Sequence, residues 1–461
     1  MFSFSRVGKT KSFYRDLGDA RELSDHSFEE NKNLKKFLRV KKMSTMDLRQ
    51  ALAGILTFSM FIMLGNMIKK DHFDSYYDVD IQATPVSKYE NVAVTTQSLA
   101  TVSHLSKSPW TKENGEGLKP CWNTPTFKEV EQSEGFITFS LTNGPEYHMS
   151  QIADALVVAR YLGATLVLPD IKGSKPGYTM NLGDIYDVQE FLNSLDGLVR
   201  VTRTQPTLVS KGNPPLVRVP NRVTQDYIVK KVQPIYKAKG IVKIESYFPS
   251  VDPIIVGNKN KKLNSFACQG MFGTLKLKPE IKQVVESMVQ NLQSWSQNNG
   301  EFIAVDLRSE VLEKECNIRY ETGRKLCYQA QEIGEFLKKI GFSEDTAIYV
   351  TQTKWNPNLD SLKEIFPKTY TKENLMAEAM KGKFLNSEFE KVIDFYISSQ
   401  SDIFVPSSPS LFYMNVAGVR IASGKNQILV PNEITSESAS PFDFMSPYVS
   451  QKSHFAYSCF C

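Results

Sequence analysis

The chain has 461 residues, 41% hydrophobic and 23% charged, with a formal net charge of +5. That length suits two or three domains with cores of their own. Much of the basic excess sits in the first fifty positions, so the charge balance does not point to a nucleic-acid partner.

Residues 1–50 are polar and charge-mixed, and read as a cytosolic tail. Met43 and Met46 offer alternative starts, which would make residues 1–42 an extension of the gene model. Residues 51–68, ALAGILTFSMFIMLGNMI, carry no charge over eighteen positions, the short end of a bilayer span. The run begins too far into the chain for a signal peptide and lacks a small-residue cleavage site; a buried core helix is the competing assignment. Lys35, Lys36, Arg39, Lys41, Lys42 and Arg49 precede it, whereas Asp71, Asp74, Asp78 and Asp80 follow it soon after Lys69 and Lys70. That asymmetry predicts a transmembrane signal anchor of type II, with the N-terminus cytosolic and the bulk of the chain in a secretory lumen. All six cysteines lie beyond the span, where disulfides are permitted. Six cysteines allow fifteen pairings, of which Cys316 with Cys327 is the most local.

Residues 69–118 are polar, lack a sustained period and read as a lumenal stem. Their Asp78-Val79-Asp80 is the only Asp-x-Asp of the chain, and it is remote from any strand end that could use it to hold a metal. From Lys119 a folded region is expected. GFITFSLT (135–142) reads as a strand, followed by the turn Asn143-Gly144-Pro145. A helix then carries Met149, Ile152, Leu156 and Ala159 on one face, Gly163 ends it, and ATLVLPD (164–170) is a second strand. Strand, helix, strand in that order makes a parallel βαβ unit.

The second half repeats the grammar. FIAVDLRS is a strand; Ile333, Phe336, Leu337 and Ile340 line a helix closed by Gly341; TAIYVTQ (346–352) and DIFVPSS (402–408) are further strands. The pattern predicts an α/β protein with two Rossmann-like domains, 119–290 and 291–461, facing a cleft. Residues 184–262 have no clear period.

In parallel α/β sheets, ligands bind beyond the carboxyl ends of the strands. Three polar clusters fall there: TNGPEYH (142–148), DLRSE (306–310) and PSSPS (406–410). Arg308 brings a fixed, forked cation suited to a diphosphate. The other two clusters bring hydroxyls and helix N-termini, which bind anions without side-chain charge. A structural ion pair with Asp306 or Glu310 is the competing role for Arg308. For proton transfer the candidates are Glu146, then Asp306, then His148; the competing roles are helix capping for Glu146 and backbone bonding for His148.

Several long blocks then carry a resemblance, in order: FSLTNGPEYHMSQIADALVVARYLGATLVLPDIKGSKPG, VTQDYI, SYFPSV, FIAVDLRSEVLEKE, FPKTYTKE, VIDFYISSQSDIFVPS and HFAYSCFC. Residues 119–461 resemble the plant O-fucosyltransferase-like glycosyltransferases, most closely their mannan-synthesis-related branch. The resemblance implies a Golgi enzyme of GT-B-like fold that uses a GDP-sugar without a metal or other cofactor, and a part in mannan or glucomannan synthesis for the plant cell wall. Carried over by position, Leu307, Arg308 and Glu310 keep the family's arginine motif, while Asp306 replaces its histidine and Ser309 its aromatic residue. The first loop keeps one glycine, as Asn143-Gly144-Pro145-Glu146-Tyr147. The last motif keeps Asp402, Phe404, Val405 and Pro406 but loses its Asp-Gly-Asn around Pro409-Ser410-Leu411.

These departures argue against fucose as the donor. The nucleotide-sugar contacts expected are Asn143, Gly144, Tyr147, Arg308, Glu310, Asp402, Ser407 and Ser408, and the expected reaction is inverting transfer of mannose from a GDP-sugar to a glycan. Two other readings stand beside it: a non-catalytic Golgi partner of a mannan synthase, and an O-fucosyltransferase using GDP-fucose.

Overall fold

A computed structural model describes residues 109–110, 118–122, 134–204, 206–207, 213–248, 263–308, 327–432, 434 and 439–461. The expected tail, the apolar segment 51–68 and nearly all of the stem lie outside the described residues, as do Ser309, Glu310 and Cys316. Among the described residues no helix is long and apolar enough to cross a membrane.

The first lobe is built around β1 (Phe136–Leu141), whose Ile137, Phe139 and Leu141 are buried. It passes through Thr142–Gly144 into α1 (Pro145–Leu162), which buries Met149, Ile152, Leu156 and Ala159 and ends at Gly163 with φ 65°. The apolar segment after it is not one strand. Pro169 has no N–H to give a ladder, and the chain bends there into β2 (Thr165–Val167) and β3 (Asp170–Lys172). Both run parallel to β1, with Phe136 opposite Thr165 and Ser140 opposite Asp170. β4 (Thr179–Asn181) folds back antiparallel on β3, and β5 (Val201–Thr202) pairs with β2. β6 (Leu216–Pro220) and β7 (Ile241–Tyr247) complete the other side, with β7 against β1, in a sheet of seven strands. α2 (Ser265–Phe272) lies on α1 so closely that a Cβ at Gly270 would sit 2.7 Å from Ala153 Cα.

The second lobe opens with α3 (Pro279–Trp295). Its sheet comprises β8 (Phe302–Asp306), β9 (Ala347–Val350), β10 (Thr369–Tyr370) and β11 (Ile403–Pro406), all parallel in the order β10-β9-β8-β11. Every residue of β8 is buried, as its unbroken apolar run requires. α4 (Ala330–Lys339), α5 (Glu390–Gln400) and α6 (Leu411–Ala422) accompany the strands. α5 and α6 also pack on α1, joining the lobes.

Two features fix this arrangement. Arg420 of α6 is fully buried, and burial lowers its pKa to about 9. Its guanidinium donates to the carbonyls of Ser398, Ser401, Asp402 and Gln427 at 2.6–3.0 Å, which supplies the partners a buried cation requires. The chain end is also tied back to the first lobe by disulfides Cys121–Cys461 and Cys268–Cys459. Cys327 is disulfide-bonded as well.

Candidate active site

The carboxyl ends of β1, β8 and β11 converge, and α1 brings its first turn to the same place. β8 ends at Asp306, 3% exposed, whose Oδ1 accepts a hydrogen bond from Thr351 Oγ1 at 3.0 Å. Thr351 in turn accepts from the Leu307 N–H at 3.0 Å, so the residue after β9 fixes the turn that follows β8. Arg308 clasps Asp306 with both prongs of its fork: Nε donates to Oδ1 at 2.9 Å and Nη2 to Oδ2 at 3.2 Å. Its guanidinium lies over the Phe412 ring of α6, 4.7 Å from the centroid, a cation–π contact. The arginine is paired but not sealed. Its side chain stays 23% exposed, and among the described residues Nη1 has no hydrogen-bond partner. Burial works to lower the Arg308 pKa, but the charge and hydrogen bonds of Asp306 outweigh it and hold the group above its ordinary value.

Glu146 approaches from the other lobe. It stands in the first turn of α1 and is 7% exposed. Gly144, with φ 122°, makes room for it: a Cβ on Gly144 would lie 2.6–2.7 Å from the Glu146 carboxyl group. Only glycine tolerates both that dihedral and that approach. Burial raises the Glu146 pKa, against the lowering effects of its own backbone N–H, Arg308 and Lys391. Among the described residues its buried Oε2 has no hydrogen-bond partner. Asn415 of α6 donates to the Glu146 carbonyl at 2.9 Å and so pins the helix start. A carboxyl of raised pKa beside a bound cation is the pairing that proton abstraction and leaving-group stabilisation need.

The other expected site residues divide. Ser407 and Ser408 are buried at the end of β11, and the Ser407 N–H donates to the Asp306 carbonyl at 3.2 Å. Tyr147 packs edge-on against Phe248, and Asn143 donates to Glu388 Oε2 at 2.8 Å across the lobes. His148 is 1% exposed: its Nε2 donates to the Thr142 carbonyl and its Nδ1 accepts from the Tyr186 hydroxyl, each at 2.7 Å. Burial lowers its pKa to about 4, so it is a neutral ring with both nitrogens committed, and the reading of His148 as a base is corrected to one of bracing the loop. Asp402 is a second correction. It precedes β11, at the amino end of a parallel sheet, and its Oδ2 accepts from the Phe302 N–H at 3.1 Å, so it is not at the ligand-binding edge. Glu310 is outside the described residues.

A family model described as GDP-fucose protein O-fucosyltransferase matches residues 139–422, from β1 to the end of α6. The chain belongs to that family. Protein MANNAN SYNTHESIS-RELATED of Trigonella foenum-graecum is 63% identical over 425 residues, 91% of this chain and all of that protein. Protein MANNAN SYNTHESIS-RELATED 2 of Arabidopsis thaliana is 49% identical, over 90% of this chain and all of its own length. Among solved structures, POFUT1 in complex with GDP covers 66% of this chain and all of its own at 15% identity, with a TM-score of 0.41. NodZ alpha-1,6-fucosyltransferase covers 66% of this chain and 98% of its own at 14% identity, with a TM-score of 0.38. At those scores neither structure bears on the side chains described above.

Arg308 and Glu146 both fall within the span that the family model matches, yet the sequence alone does not reveal what surrounds them. Phe412, Thr351, Lys391 and the buried trio Lys372, Asp394 and Tyr349 all went unnoticed. Lys372 Nζ lies 2.8 and 2.7 Å from the two Asp394 oxygens, and the Tyr349 hydroxyl donates to Oδ1 at 2.5 Å. The charge of Asp394 reaches Arg308, so this trio sits behind the site. A lysine 1% exposed in FPKTYTKE is a signal that sequence could have carried only if its burial were known.

Proposed function

We propose that this chain is a Golgi glycosyltransferase with a type II anchor, transferring mannose from GDP-mannose to a glycan during mannan or glucomannan synthesis. The family supplies the class of reaction, and the relatives' names supply the polymer. One observation carries the site: a guanidinium held in place by Asp306 and Phe412, with one edge uncommitted among the described residues, lies within electrostatic reach of a buried carboxyl from the opposite lobe.

The step balances with these two groups. An acceptor hydroxyl oxygen attacks the anomeric carbon from the face opposite the nucleotide, and the anomeric C–O bond to the β-phosphate breaks with inversion. Glu146 takes the hydroxyl proton. GDP leaves with the electron pair, and Arg308 balances the charge growing on its β-phosphate, with the start of α6 and its Ser410 cap nearby in sequence to the Ser407-Ser408 loop. In this reading the positive charge is an arginine's and no metal ion is needed.

A second reading has its own support, since Asp306 already neutralises Arg308: the chain would be a non-catalytic partner of a mannan synthase. The full-length protein in detergent, incubated with GDP-mannose or GDP-fucose and manno-oligosaccharides, separates these. Mannosyl transfer that is lost in Arg308→Ala supports the proposal. Transfer from GDP-fucose alone would replace the donor, and no transfer together with mannan restored in plants by Arg308→Ala would leave the partner reading.

A further inference from the structure

Beside the site, a groove of about 740 Å³ runs between the β3–β4 hairpin of the first lobe and the segment leading into α5 of the second. That volume is in the range of small-molecule sites. Its construction is specific. Glu388 accepts from Asn143 Nδ2 at 2.8 Å, from the Ser174 N–H at 2.8 Å and from Ser174 Oγ at 2.5 Å, which fixes its carboxylate between the lobes. Tyr178 packs closely against Gly173: a Cβ on Gly173 would meet the ring at 2.3 Å and Glu388 Oε1 at 3.2 Å. Despite that packing Tyr178 remains 51% exposed, one of few large apolar side chains open to water among the described residues. Four lysines and four carboxylates line the groove, giving no net formal charge, and Lys383 and Glu280 are paired at 2.5 Å. Its lining includes Asn143, next to Gly144 in the chain, and Lys391, whose charge reaches Glu146.

An open aromatic face, a fixed carboxylate acceptor and amide groups from Asn143 and Asn386 match the two surfaces of a sugar ring: an apolar C–H face and a rim of hydroxyls. Zero net charge fits an uncharged chain and gives no advantage to a uronate polymer. We propose that this groove is the acceptor subsite, and that it takes an uncharged oligosaccharide stacked on Tyr178 with its terminal hydroxyl directed to Glu146. This rests on the glycosyltransferase reading for the hydroxyl's fate but not for the binding itself.

The test uses the full-length protein in detergent, with mannohexaose, hexagalacturonate and GDP as probes in titration calorimetry. Mannohexaose is expected to bind and hexagalacturonate not to. Tyr178→Ala should weaken mannohexaose at least tenfold, raise its KM in transfer and leave GDP affinity within twofold of wild type. Unchanged mannohexaose binding in Tyr178→Ala, preferred binding of the uronate chain, or no glycan binding at all would overturn the groove. If wild type transfers mannose and Tyr178→Ala does so with an unaltered KM, the groove fails and the enzyme reading stands. If glycan binds in a Tyr178-dependent way while neither GDP nor GDP-mannose binds, the enzyme reading fails and the groove stands.

Discussion

Replacing Arg308 with alanine separates two quantities that the structure links. In the proposed transfer, the guanidinium would face a diphosphate from a position 23% exposed, where an effective dielectric near 20 is appropriate. A unit charge about 4 Å from a phosphate oxygen is then worth about 4 kcal/mol, and Asp306 takes a share of it. Loss of one fixed donor to a developing anion costs about 2.7–4 kcal/mol, so kcat/KM should fall on the order of 10²–10³-fold. In folding, Asp306 would lose its cation but keep the Thr351 hydroxyl. Breaking a buried pair costs about 3–5 kcal/mol, and the arginine's partial exposure reduces this to about 2–3 kcal/mol. Arg308→Lys keeps the charge and loses the two-pronged grip, so it should recover more of the stability than of the rate. Mannosyl transfer from GDP-mannose and GDP affinity by calorimetry measure the first, and urea denaturation the second. Transfer within threefold of wild type and GDP affinity within twofold, in a folded Arg308→Ala protein, would refute the assignment.

Glu146→Gln should lower kcat about 10²–10⁴-fold and abolish the acidic limb of the rate profile, because a base of raised pKa loses activity as pH falls through that pKa. A limb unchanged in the variant would move the base elsewhere. Gly144→Ala should cost about 1–3 kcal/mol through the strained dihedral and displace the Glu146 carboxyl, lowering kcat with the loss of stability; a thermal melt and a rate at saturating donor read both. Lys372→Met leaves Asp394 buried with only the Tyr349 hydroxyl and should cost about 3–5 kcal/mol in urea denaturation, much of it regained in Lys372→Met/Asp394→Leu. His148 has its folded pKa lowered from 6.5 to about 4, so between those values the unfolded chain binds more protons and stability rises with pH, by on the order of 3 kcal/mol. Asp154, raised to about 7, opposes that slope and His454, lowered to about 3, adds to it, so the difference between wild-type and His148→Gln melts from pH 4 to 7 should isolate the His148 contribution, with transfer per folded molecule kept within threefold.

The strands that sequence displays most openly are those buried on both faces. FIAVD, AIYV and IFVP have no polar face to interrupt them, so a short apolar run between turn residues suffices to locate β8, β9 and β11. The stretch 184–262 was opaque because β5 has two residues, and β6 sits at an edge where Leu216 and Arg218 face water. Such a strand depends on its neighbour β7 more than on its own residues. Arg308 and Glu146 were legible as chemistry at strand and helix ends, but their meeting was not. It requires Phe412, 104 positions beyond Arg308, and Lys391 on α5, which have no local signature. Asp402 misled for a different reason: it was carried over from the family's motif, although DIFVPSS already put it at the amino end of its strand.

The two cystines that tie Cys459 and Cys461 to Cys268 and Cys121 span 191 and 340 positions of the chain. Neither bond can form before residues 459–461 have been synthesised, after every strand of both sheets, so Cys121 and Cys268 of the first lobe must wait for partners that follow the second sheet in the chain. Appending a purification tag after Cys461 would place foreign residues at that late seam.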